Sequence, residues 1–166
     1  ITTPEDKYTF GAVVGGNFNS ETSRGTIGSH SVRVEAGKYN NIIAGSTLAT
    51  QTTNKKYVTH EVVIGNMRDT AVSRNDLLTI TGYLAMGELE DANYAFNPNG
   101  SQDSNTAYLQ TYADVTLLSG TFTGENKFAK ASENAGIYLR SIDGLADGKV
   151  EFNMYGGDVK ANVYGG

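Results

Sequence analysis

The stretch that decides the fold is the last one, Phe152-Asn-Met-Tyr-Gly-Gly-Asp-Val-Lys-Ala-Asn-Val-Tyr-Gly-Gly166. Apolar and polar residues alternate in two short pieces, and each piece ends in a Gly-Gly pair. Alternation with a period of two predicts half-buried strands. Paired glycines permit positive φ and a tight corner, because they have no Cβ. This order of strand and corner is typical of a chain that coils in steps.

The same spacing recurs upstream. Gly37 and Gly45 are eight residues apart, as are Gly157 and Gly165. In both copies one apolar residue lies two positions after the first glycine and another lies two positions before the second. Shorter copies consist of an apolar run followed by a glycine, at Gly16, Gly65, Gly82 and Gly120. Repeats at intervals of about twenty or more residues, with loop insertions, indicate a solenoid. An antiparallel β-sandwich or barrel stays open as the alternative, since a strand followed by glycine is common in all-β proteins.

Composition narrows the class of protein. The chain has 166 residues, a length typical of one domain, so we treat 1–166 as a single β domain. Twenty glycines against two prolines favour many corners, and the absence of cysteine excludes disulfides and Cys-based metal sites. The net charge is −5 and the only adjacent basic pair is Lys55-Lys56, which argues against nucleic-acid binding. No apolar run is long enough to predict membrane insertion.

Individual elements follow from the local pattern. Tyr57–Ile64 alternates as a strand does, and Val115–Phe122 predicts a strand followed by a corner. A helical turn is one interpretation of Leu84–Asp91, although Gly87 weakens it. Glu125–Gly136 fits a short helix with Gly136 as its stop.

The longest polar insertion, 93–105, is the candidate binding loop. It contains the turn signal Asn97-Pro-Asn-Gly100, and long loops on a rigid scaffold often carry contacts with partners. Aromatic residues flank it and can serve as a binding platform. The partner-binding residues that we predict are Tyr94, Phe96, Asn99, Tyr108 and Tyr112. In the alternative interpretation, these aromatic residues only hold the loop in place.

The sequence lacks the common catalytic and metal-binding patterns. His60 precedes Glu61, but adjacent residues of a strand point to opposite faces, so they do not form a catalytic dyad. The sequence contains no nucleophile elbow, zinc-protease helix motif or phosphate-binding loop. The acidic pairs Glu5-Asp6 and Glu90-Asp91 are interpreted as solvated turns. We therefore predict no catalytic residue, cofactor or metal.

The units Gly120-Thr-Phe122 and Val163-Tyr-Gly-Gly166 resemble the glycine-paired repeats in the passenger regions of bacterial autotransporter adhesins. The resemblance implies a right-handed parallel β-helix, a secreted or cell-surface location associated with the outer membrane, and a non-enzymatic role in adhesion or self-association. It implies a host surface glycan or protein, or another copy of the chain, as the partner. A carbohydrate-binding β-sandwich is one alternative. A β-helix polysaccharide-cleaving enzyme is another, although pectin-cleaving enzymes of that kind carry Gly-His-Gly and Arg-x-Lys motifs that are absent here.

The closing unit also carries an expectation about oligomerisation. If Val159, Ala161 and Val163 continue one strand, they present an apolar, unpaired edge, because a solenoid needs a cap at each end. We expect the chain to be a fragment of a longer repeat protein and to form homo-oligomers through this C-terminal edge. The alternative is that the segment 125–148 folds over the edge and caps it.

Overall fold

The computed structural model describes residues 9–16, 29–45, 56–67, 77–86, 108–125, 136–139 and 149–165. This part of the chain is all-β and contains no α-helix, hence none that could span a membrane. Its strands are β1 (Thr9–Val14), β2 (His30–Val34), β3 (Gly37–Ile43), β4 (Lys56–Ile64), β5 (Leu78–Ile80), β6 (Leu84–Ala85), β7 (Tyr108–Leu117), β8 (Thr121–Phe122), β9 (Gly136–Tyr138), β10 (Lys149–Met154), β11 (Asp158–Val159) and β12 (Asn162–Tyr164).

The strands form three stacks. The first stack is the sheet β2-β4-β7-β10. The second stack runs from the first half of β3 through β5 and β8 to β11, and the third from the second half of β3 through β6 and β9 to β12. β1 pairs with β3 along both of its halves. Each pass of the chain therefore adds one strand to each stack, in chain order.

Every strand pair in the described part of the chain is parallel. Parallel neighbours cannot be joined by hairpins, so the chain must travel through the other two stacks before it returns beside its own previous strand. The antiparallel sandwich or barrel considered from the sequence is thus wrong for these residues.

A glycine of positive φ follows each strand of the first stack. The φ values are 115° at Gly37, 86° at Gly65, 105° at Gly120 and 89° at Gly157. An L-residue with a side chain is strained in this region, so glycine lets the chain turn sharply into the second stack. The equivalence of Gly37 and Gly157 predicted from the sequence is confirmed, and Gly120 lies in register with both. Gly65 directly follows β4 and lies in register with Leu118 instead.

Gly16 follows β1 at the end of the third stack, where its N–H donates to the carbonyl of Gly45 at 2.9 Å, so its assignment to the same repeat position is wrong. The assignment of Gly82 to that position is also wrong, because Gly82 belongs to a different corner. It lies between β5 and β6, where its N–H donates to the carbonyl of Asn40 at 2.7 Å. A Cβ at Gly82 would lie 2.5 Å from that same oxygen. Glycine is required here by close approach of two backbones and not by positive φ.

The three stacks share one interior. Alternate residues of each strand point inward, as the period of a strand demands, and their apolar side chains pack into one cluster. The cluster takes its largest members from all three stacks: Ile64, Leu117, Leu78, Ile80, Phe122, Ile42, Leu84 and Ile137. A second, smaller cluster lies on the opposite face of the third stack and contains Ile43, Tyr83, Ala85 and Tyr138.

The described residues confirm two predicted strand segments and correct two predicted helical ones. β4 confirms the strand over Tyr57–Ile64, and β7, the Gly120 corner and β8 confirm the unit Val115–Phe122. The helical turn at Leu84 is wrong at its start, because Leu84 and Ala85 form β6. The helix expected to stop at Gly136 is wrong at that end, where β9 begins, and its residues 126–135 lie outside the described part.

The closing unit departs from the prediction in one respect. Residues 159–163 are not one strand, because β11 ends at Val159 and β12 begins at Asn162. The corner arises because Val159 pairs with β8 whereas Val163 pairs with β9, which belongs to another stack.

Candidate functional site

The outer face of the first stack is polar. One row across it joins Ser31, Glu61, Asp114 and Glu151 at the same register of four adjacent strands. Neighbouring strands lie about 4.8 Å apart, so the three carboxylates repel one another unless donors are placed between them. Ser31 supplies one such donor, since its Oγ donates to Glu61 Oε2 at 3.3 Å.

Further donors surround the rest of the row. Tyr112 Oη donates to Glu151 Oε2 at 2.7 Å and lies 3.3 Å from Asp114 Oδ2. A hydroxyl has a single proton, so the shorter contact with Glu151 is the hydrogen bond that it makes. Asn153 Nδ2 donates to Asp114 Oδ1 at 3.1 Å, and Lys149 Nζ forms an ion pair with Glu151. We call Tyr112, Asp114, Lys149, Glu151 and Asn153 the Tyr112 cluster.

These contacts shift the pKa values of two members of the cluster. Its hydrogen bond to Glu151 raises the pKa of Tyr112 well above the usual value of a phenol. The Lys149 ammonium first, and then the Tyr112 hydroxyl, lower the pKa of Glu151. At neutral pH the cluster therefore presents a fixed carboxylate and a neutral phenol. In the part of the chain that the structure describes, no group of three His, Asp or Glu side chains is placed to hold a metal ion.

The structure locates only two of the predicted partner-binding residues. Tyr94, Phe96 and Asn99 lie outside the described residues. Tyr108 begins β7, where its backbone pairs with Lys56 of β4, and Tyr112 lies four residues further along the same strand, in the Tyr112 cluster. The prediction missed the other four members of the cluster, although polar residues at alternate positions of β7 and β10 were a usable signal.

The interior of the first stack holds the two histidines. His30 and His60 are opposite each other in β2 and β4, with their ring centroids 5.7 Å apart. His60 has no exposed surface, whereas Glu61 is exposed on the outer face. The prediction that these neighbours point to opposite faces of the strand is confirmed. Burial first, and then the charge of His30, lower the pKa of His60 to about 4.

The second feature that bears on function is a pair of sheet edges. Phe10, Val13 and Val14 of β1 stand at one end of three continuous ladders of inter-strand neighbours. The first ladder is Phe10, Tyr39, Ile80, Phe122 and Val159. The second is Val13, Ile42, Leu84, Ile137 and Val163, and the third is Val14, Ile43, Ala85, Tyr138 and Tyr164. We call β1 the N-terminal edge and β11–β12 the C-terminal edge.

Both edges expose the ends of these ladders. Phe10 is 39% exposed, Val163 42% and Tyr164 37%, whereas the central members are buried. An aromatic pair lies at each edge: Phe10 on Tyr39 with ring centroids 5.2 Å apart, and Tyr164 on Tyr138 at 4.6 Å. Each outer ring is covered on one face by its neighbour in the ladder and is otherwise partly exposed. The apolar residues beside it on the same edge are partly exposed as well.

Comparisons with protein-family models, with characterised proteins and with solved structures give no match to this chain. The features of this chain that bear on function are therefore the Tyr112 cluster and the two edges.

Proposed function

We propose that this chain is a segment of a right-handed parallel β-helix and that it acts without catalysis, in adhesion or self-association, at the cell surface or after secretion. The order of the three stacks supports a β-helix, because each pass of the chain contributes one strand to each stack and the glycine corners recur after the first. The hand of the coil is inferred from the general preference of parallel crossover connections.

The observation that carries self-association is the C-terminal edge. β10, β11 and β12 are each last in their stack, so within the described residues one backbone edge of each strand has no strand beside it. Met154, Val163 and Tyr164 add a row of exposed apolar side chains along that edge. A sheet edge of this kind is a template for strand addition, and apolar side chains beside it add the hydrophobic contribution.

Light scattering over a range of protein concentrations tests this function. We expect the mean mass to rise with concentration for the wild-type chain and to stay near that of a monomer for Val163→Lys, which places a charge on the edge. Thr116→Lys is the matched control, because it adds the same charge to the outer face of β7, in the middle of the first stack. A monomeric wild type at millimolar concentration, or equal loss in both variants, would exclude this mode of self-association.

The Tyr112 cluster supports a second candidate function, carbohydrate binding. Tyr112, Asn153 and Lys149 hold the carboxylates of Asp114 and Glu151 in place on two paired strands. Carboxylates fixed in this way accept hydrogen bonds from sugar hydroxyls, and a rigid sheet lowers the entropic cost of binding. A glycan array tests it: a signal lost in Asp114→Ala and retained in Arg33→Ala, which changes an exposed residue of β2 outside the cluster, would support carbohydrate binding here. A signal that is absent, or unchanged in Asp114→Ala, would exclude it.

A further inference from the structure

We propose that self-association is head-to-tail: the C-terminal edge of one copy takes β1 of a second copy as its next parallel strand. This inference rests on the proposed self-association and names the surface that meets the C-terminal edge. A second copy translated along the stacks presents β1, whose outer edge, like that of β11 and β12, has no strand beside it among the described residues.

The register of the new contact follows from the ladders. Continuing each ladder by one step places Val159 opposite Phe10 of the second copy, Val163 opposite its Val13, and Tyr164 opposite its Val14. Each of these pairs brings together two apolar residues. Val13, Val14 and Val159 pack against the apolar clusters of their own copy, and Phe10, Val163 and Tyr164 are exposed at its edges. The free face of the Tyr164 ring is thereby covered.

The spacing between the paired residues differs by one residue between β1 and β11–β12. The same difference already occurs between paired strands within the chain. Phe10 and Val13 are three residues apart on one continuous strand, whereas Val159 and Val163 are four apart across the corner between β11 and β12. Within the chain, Tyr39 and Ile42 are also three apart on one strand, and they pair with Ile80 and Leu84, which are four apart across a corner. The pairing of β1 with β11 and β12 repeats this arrangement.

Head-to-tail contact has a consequence for assembly. The two edges are different surfaces, so the contact is heterologous and each added copy leaves a new C-terminal edge. Contact between two C-terminal edges would instead be two-fold symmetric and would stop at a dimer. The proposal therefore predicts open chains of copies whose length increases with concentration.

Cysteine cross-linking tests the register, because the natural chain has no cysteine. Val163→Cys is mixed with Val13→Cys and oxidised, and Val159→Cys with Phe10→Cys serves as a second, independent pair. Paired residues of neighbouring strands lie at a separation that a disulfide can bridge. We expect both mixtures to give a cross-linked heterodimer, and the out-of-register mixture of Val159→Cys with Val13→Cys to give several-fold less.

The outcomes separate this inference from the function on which it rests. Concentration-dependent mass without either in-register cross-link would overturn head-to-tail addition and leave self-association standing. Preferential 163–163 disulfides in Val163→Cys alone would show symmetric contact and overturn it as well. A monomer in which the introduced thiol of Val163→Cys resists alkylation would mean that another segment of the chain covers the edge, and both proposals would then be wrong.

Discussion

His30 stacks on His60 with the two ring planes within 10° of parallel, in the interior of the first stack. His60 is fully buried, and its pKa falls to about 4 because burial and the neighbouring His30 both disfavour the charged ring. The pKa of His30 is lowered by burial too. Stacking two imidazoles in an apolar ladder is therefore compatible with the fold only while both rings are neutral.

The first prediction is a loss of stability in mild acid. The folded pKa of His60 lies below the unfolded value of 6.5, so the unfolded chain binds the proton more readily. Stability is complete above pH 6.5, declines as the pH falls towards 4, and loses about 3 kcal/mol by then. Urea unfolding at a series of pH values measures it. His60→Leu should weaken the dependence of the free energy of unfolding on pH between about pH 6.5 and 5. The same dependence in the variant would contradict the lowered pKa of His60.

The corner at Gly157 gives the second prediction. Its φ is 89°, and a Cβ there would lie 2.9 Å from the carbonyl oxygen of Gly120. Gly157→Val should therefore cost about 1 kcal/mol or more, through backbone strain and the clash together. Gly11→Val is the control, since Gly11 lies in a strand and a Cβ there meets nothing within 4 Å. Equal melting temperatures for the two variants at low protein concentration would contradict the positive φ of Gly157.

The third prediction compares two phenylalanines of one ladder. Phe122 is the fourth of its five members and is buried, whereas Phe10 is 39% exposed at its end. Phe122→Ala should lower the free energy of unfolding by about 3–5 kcal/mol because it leaves a cavity between the stacks. Phe10→Ala should cost clearly less, since its site is open to solvent. Denaturant unfolding measures the stability of both variants. A Phe10 variant as unstable as the Phe122 variant would contradict the location of Phe122 in the core and of Phe10 at an exposed edge.

The fourth prediction concerns the Tyr112 cluster. Lys149 contributes more than Tyr112 to the lowered pKa of Glu151. Lys149→Met should therefore raise the pKa of Glu151 more than Tyr112→Phe does, and both should raise it. Carbon-detected NMR titration of the Glu151 carboxyl follows this directly. The reverse order, or no change in either variant, would mean that the cluster does not persist in solution.

The glycine corners show how much the sequence could predict. Gly65 and Gly120 are predicted from an apolar run followed by glycine, and Gly37 and Gly157 from the eight-residue spacing to a second glycine. These patterns are informative because positive φ after a strand leaves few alternatives to glycine. Gly82 follows a similar run but serves a different corner. Its reason for being glycine is the approach of Asn40 from another strand, which local sequence does not report.

Long-range pairing explains the other errors. Alternation placed Val159 and Val163 on one strand, yet their partners Phe122 and Ile137 belong to different stacks, and that difference introduces the corner between them. The Tyr112 cluster was missed for the same reason, because Tyr112 and Glu151 are 39 residues apart in the sequence. Which strands become neighbours depends on the lengths of the intervening segments, and periodicity carries no information on that.

Backbone hydrogen exchange tests the central claim, strand addition at the C-terminal edge, most directly. We predict that the amides of Val159 and Val163, which alternate with those that donate to β8 and β9, exchange rapidly in dilute protein and become protected as the concentration rises. The amides of Asp158 and Lys160, which already donate to Gly120 and Phe122, and those of β7, already paired on both sides, should stay equally protected throughout. The protection gained at high concentration should be lost in Val163→Lys and retained in Thr116→Lys. Concentration-independent exchange across residues 158–165, or new protection confined to the outer face of the first stack, would contradict the account.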